Sequence, residues 1–149
     1  MLQVTVGAGV EQGSLLRRLQ GHQDGILAIL RGIEPLLTDP VIRDIAQLAR
    51  ARWALMRALT AYALFKHHEI FDPAISRQLL GEAARAARMK RACEAVGNDF
   101  RGHVTKWSGS DVAGEWAAYQ PSALAMTAKL RAHLATEREE IAVLLERAG

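Results

Sequence analysis

The sequence is short of cysteine, proline and aromatic residues, and each shortage narrows the reading. Its one cysteine, Cys93, has no second thiol to pair with, so an internal disulfide is excluded and the reducing cytoplasm is the expected compartment. No run of about 18 apolar residues is present, which excludes a transmembrane helix and with it a membrane partner. The opening residues lack a basic stretch followed by an apolar one, so no secretion signal is expected. Charge of one sign is not in excess: 19 Lys and Arg against 16 Asp and Glu leave +3, too little to imply a nucleic-acid partner. Arg85, Arg88, Lys90 and Arg91 cluster within an Ala-rich stretch and read as a solvated helix face. There is no nucleophile elbow, phosphate loop or Cys-x-x-Cys, so the sequence favours a non-enzymatic role.

What is present is helical pattern. The 149 residues, half of them hydrophobic, suffice for one domain with a substantial core. Residues 1–13 carry three glycines and no helical period, and are expected to form a flexible arm. Ser14 is a candidate cap for a first helix with the stripe Leu15, Leu19, His22, Ile26, Ile29 and Ile33. Asp39-Pro40 marks the start of a second, with Ile45, Leu48, Leu55, Leu59, Tyr62 and Glu69 facing inward and Phe65 beside them. Asp72-Pro73 closes it. A third helix is expected from about Ser76 to Trp107, with Leu80, Ala84, Ala87, Val96, Phe100 and Val104 as its face. A fourth runs to about Arg147 on the stripe Leu130, His133, Glu137, Ile141 and Leu144, with Pro121 as a kink or boundary. Residues 14–149 are therefore expected to fold as an all-α, up-down-up-down four-helix bundle.

The informative anomaly is polar. His22, Glu69, His133 and Glu137 fall on inward stripes, where a carboxylate needs a partner or a metal. His133 and Glu137 stand four apart, on one helical face. Imidazole nitrogen with carboxylate oxygen suits iron, zinc or manganese. The alternative is metal-free: His22, Glu69, His133 and Glu137 form a buried hydrogen-bond network, or pair with Arg52 or another basic residue. Cys93 has no evident base partner and reads as a buried structural thiol. Trp53, Trp107 and Trp116 are candidates for a homo-oligomer surface.

These residues resemble the hemerythrin-like, or HHE cation-binding, family. That family carries a His on helix one, His-x-x-x-Glu on helix two, a His on helix three and His-x-x-x-Glu on helix four. Leu-Arg-Ala-His133-Leu-Ala-Thr-Glu137-Arg-Glu-Glu matches the helix-four motif. Gly-His22-Gln-Asp-Gly-Ile is similar to the helix-one segment, and His68-Glu69-Ile-Phe-Asp-Pro73 to the end of helix two. Phe65 stands where a His four before Glu69 would be, and helix three offers no evident His. The resemblance implies a hemerythrin-like bundle holding a partial or degenerate iron centre at His22, Glu69, His133 and Glu137, with a role in oxygen, redox or nitric-oxide sensing. The departures imply the alternative, a metal-free interaction or regulatory module.

Overall fold

The heptad spacing of apolar side chains decides which face of each helix turns inward. On the first helix the buried positions are Leu19, Gln23, Ile26, Leu30, Ile33 and Leu37, an unbroken alternation of four and three. A computed structural model describes residues 2–42, 44–77 and 82–148, and every regular element among them is helical. Met1, Leu80 and Gly149 lie outside the described residues.

Helix α1 spans Leu2–Thr38, α2 spans Ile45–Lys66, α4 spans Glu82–Ser108 and α5 spans Trp116–Ala148. A π-helical turn, His67–Phe71, joins α2 to the short helix α3, Asp72–Arg77. α1 packs on α2 and α5, and α4 packs on α5 and α2, so the four long helices form a closed ring of neighbours. Each lies beside its sequence neighbour, as short links require.

The helix ends correct the expected boundaries. α1 begins at Leu2, so the residues expected as a flexible arm are helical in backbone. Pro35 lies inside α1, which runs on to Thr38. The carbonyls freed at that end are taken up from α5: Gln120 donates to Leu37 O at 2.6 Å and Trp116 Nε1 donates to Asp39 O at 3.1 Å. α2 starts after Asp44, whose carboxylate accepts from the Gln47 amide at 2.9 Å, and not at Asp39-Pro40. Pro121 sits in the second turn of α5, inside the helix, so no helix boundary falls there.

The core is apolar at the end of the ring near the 109–115 loop. Phe100, Val104, Trp107, Trp116 and Tyr119 fill that end, with Trp107 and Tyr119 edge to face at 5.1 Å. Trp107 and Trp116 are therefore core residues; of the three tryptophans only Trp53 is exposed. On α4 the inward face keeps the expected Phe100 and Val104 but has Ala86, Met89 and Cys93 in place of the expected Ala84 and Ala87. No described helix is long and apolar enough to cross a membrane.

Candidate functional site

Halfway along the bundle the apolar core gives way to a polar cluster. Four of its members occupy heptad core positions on four different helices: Gln23 on α1, Lys66 on α2, Cys93 on α4 and Glu137 on α5. Tyr62, one turn before Lys66, is buried with them. Lys66 and Glu137 are 1% and 2% exposed, which makes their pairing obligatory.

The geometry meets that need. Lys66 Nζ donates to both oxygens of Glu137, each at 2.7 Å. It also lies 3.1 Å from Cys93 Sγ and 3.9 Å from the centre of the Tyr62 ring. Tyr62 donates its hydroxyl to Glu137 Oε1 at 2.9 Å. His133 Nε2 lies 3.1 Å from the same oxygen. Gln23 donates to the Tyr62 hydroxyl at 2.8 Å and to the Leu134 carbonyl at 2.9 Å. Arg138 then donates to Gln23 Oε1 at 2.8 Å, so the network runs from the surface to the buried carboxylate.

Electrostatics fix the protonation states. Burial pushes the Glu137 carboxyl up, but the His133 hydrogen bond and the Lys66 charge outweigh it and hold the group below its ordinary range. Burial pulls His133 down, yet its hydrogen bonds to Cys93 and Glu137 win, and its pKa is pushed up to about 9. Burial and the Glu137 charge drive Tyr62 well above the usual phenol range, so it stays a donor. At neutral pH the protonated His133 and the Lys66 side chain flank one carboxylate, and Lys66 also reaches the Cys93 sulfur.

The expected ligand set is brought together only in half. His133 and Glu137 meet as their spacing implied. His22 does not face the carboxylate. Its ring stacks on Phe65 at 5.0 Å, and burial with the nearby Arg18 and Lys66 charges lowers its pKa. The inward position on α1 belongs to its neighbour Gln23, because the heptad runs Leu19, Gln23, Ile26. Glu69 is half exposed and lies 3.6 Å from Arg18 on the surface. The π turn explains this. The amide of Asp72 bonds to the His67 carbonyl five residues back, which rotates the following residues past their α-helical phase. Inward positions then go Tyr62, Lys66, Ile70 and Ala74, and Glu69 swings out.

The residues missed from sequence are Gln23, Lys66 and Cys93. The spacing Leu55, Leu59, Tyr62, Lys66 was a usable signal, since a lysine on a heptad core position requires a buried acid. Arg52, the expected basic partner, instead lies near His103 and Tyr119, whose titration it influences.

Cys93, His133 and Glu137 offer three donor atoms within 4.8 Å of one another, a group that could hold a metal ion. Lys66 stands among them. Beside the cluster, between α2 and α4, is a cavity of about 220 Å³ with walls that include Met56, Leu59, Val96, Phe100, Leu130 and Leu134. Lys66, Cys93, Tyr62 and His133 also line it, as do the exposed Thr60, Leu64 and Arg101, so it opens to solvent. No family model, curated protein or solved structure matches the chain.

Proposed function

We propose that the chain is a hemerythrin-like bundle in which an internal ion pair replaces the metal centre, and that it works as a metal-free ligand-binding or regulatory module. The observation that carries this reading is the Lys66 ammonium, 2.7 Å from each oxygen of Glu137 and 3.1 Å from Cys93 Sγ. Set on the family pattern, the inward residues are Gln23, Tyr62-x-x-x-Lys66, Cys93 and His133-x-x-x-Glu137. Only the last pair keeps the family's donors.

An iron pair does not fit these residues. An ammonium has three N–H donors and no lone pair, and its charge repels a cation in the volume it fills. Tyr62 is committed as a donor to Glu137, and Gln23 points its amide N–H groups inward. The lysine supplies the positive charge that would otherwise come from metal, and Glu137 is satisfied without one. The trio Cys93, His133 and Glu137 favours a second reading, one softer cation such as zinc, reached only when Lys66 loses its proton and moves aside.

The cavity supports the binding role. An apolar cavity of about 150 Å³ already admits benzene, so the space here suits a small apolar molecule with one polar group directed at the cluster. The test has two parts. Full-length protein is expressed in medium supplemented with iron, manganese and zinc, and its metal is measured by inductively coupled plasma mass spectrometry. Substoichiometric metal is expected; one ion per chain overturns the metal-free reading in favour of the trio. Phenol, as a probe of the cavity, is expected to raise the melting temperature saturably. Ala63→Leu, which fills the cavity wall, should remove that rise. An unsaturable response, or one unchanged in the variant, refutes the binding role.

A further inference from the structure

Satisfying Glu137 does not require the third contact of Lys66, the one to sulfur. Nζ donates a hydrogen bond to Sγ at 3.1 Å, and the two come from different helices. Both line the solvent-connected cavity, so a small oxidant can reach the sulfur although Cys93 is only 7% exposed. A ring nitrogen of His133 lies within 4.8 Å of the same sulfur, and Glu137 lies 2.7 Å from the lysine nitrogen. A nucleophilic sulfur and an amine are thus in contact, with a proton acceptor and a proton donor beside them, at a cavity open to solvent.

We propose that a peroxide drives formation of a reversible covalent bond between Cys93 Sγ and Lys66 Nζ, a sulfenamide tying α4 to α2. In the first step sulfur attacks one peroxide oxygen, the O–O bond breaks, and the thiol plus hydrogen peroxide give the sulfenic acid and one water. In the second, Lys66 passes a proton to the Glu137 carboxylate and its lone pair attacks the sulfur. The S–O bond breaks, and hydroxide leaves with a proton from His133, which regains one from the new nitrogen. A second water is released. Sulfur is oxidised by two electrons and the peroxide is reduced to two waters. Two equivalents of a small thiol reverse the bond, restoring thiol and amine and leaving a disulfide.

The consequence is a switch in the core. The cross-link consumes the ammonium, leaves Glu137 protonated and covalently joins two helices otherwise held by noncovalent contacts. The inference rests on the reading that Lys66, rather than a metal, sits against Cys93. Metal content is therefore measured on the same sample, so that the two can fail separately.

Reduced full-length protein is treated with a small molar excess of hydrogen peroxide and followed by intact-mass and peptide mass spectrometry. The expected product is lighter by two hydrogens and yields a peptide pair linked through Lys66 and Cys93, lost on treatment with dithiothreitol. Cys93→Ser should stay at its starting mass. The Lys66→Met, Glu137→Gln double variant, which keeps volume and charge balance, should stop at a sulfenic acid trapped by dimedone. The inference is overturned if metal-free wild-type protein gains one oxygen with Lys66 unlinked, is trapped by dimedone to the same extent as the double variant, or is unmodified at Cys93. Should the double variant misfold, the linked wild-type peptide decides alone. Unmodified protein holding one metal ion per chain overturns both readings together.

Discussion

Removing the Lys66 ammonium tests the centre of the reasoning. Lys66→Met keeps the stem volume and deletes the charge. Glu137, 2% exposed, then remains buried with only Tyr62 and His133 as partners. Breaking a buried pair by removing one member costs about 3–5 kcal/mol. Because His133 still lies 3.1 Å from Oε1, the lower part of that range applies, about 3 kcal/mol. For a domain of this size that is a fall of roughly 6–12 °C in melting temperature. Adding Glu137→Gln should recover most of the loss, since neither partner is then a stranded charge. The assay is urea unfolding of the wild type, the two single variants and the double variant, closed as a double-mutant cycle. A Lys66→Met cost under about 1 kcal/mol, or a coupling energy near zero, would refute a buried obligatory pair.

Two further outcomes follow from the same geometry. Stability should depend on pH with a defined sign. His133, raised from 6.5 to about 9, contributes stability that is complete below its unfolded value and is lost as pH climbs through the folded one. Glu137, held below its ordinary value of 4.5, contributes above that value and loses its contribution as pH falls through the depressed one. The joint contribution of these two groups is therefore greatest between about pH 4.5 and 6.5, with a loss on the order of 3 kcal/mol by pH 9.5. Calorimetry of wild type and His133→Gln checks this: a wild-type curve flat from pH 6 to 9.5 would contradict it. Glu69→Ala, by contrast, removes only an exposed pair with Arg18 and should change stability by less than about 0.5 kcal/mol. A loss comparable to that of Lys66→Met would show that Glu69 faces the core after all.

The two outcomes for Glu69 and Glu137 show where a linear reading succeeds and where it stops. The four long helices, the apolar stripe of the last one and the pairing of His133 with Glu137 are local facts, fixed by a period of 3.6 within one helix, and the sequence alone supplied them. Glu137 was recognisable as a carboxylate in need of a partner because Leu130, Ile141 and Leu144 set its phase. On α1 a phase error of one residue put His22 where Gln23 belongs, because both fit a spacing of three or four from Leu19. On α4 the alanine-rich stretch carries no contrast to set a phase, so Cys93 was read as buried without a partner.

The partner itself was not a local property. Lys66 and Glu137 are separated by 71 residues, and only the packing of α2 against the rest of the ring brings the ammonium to the carboxylate. The π turn after Lys66 makes the same point, since one additional residue in a single turn turns Glu69 to solvent and keeps Ile70 and Ala74 inside. From residue order alone came the demand, a buried negative charge on the last helix. Tertiary structure chose what answers it, because a charge removed from water is stabilised only by the group placed within hydrogen-bonding reach, and reach across helices exists only once they are packed.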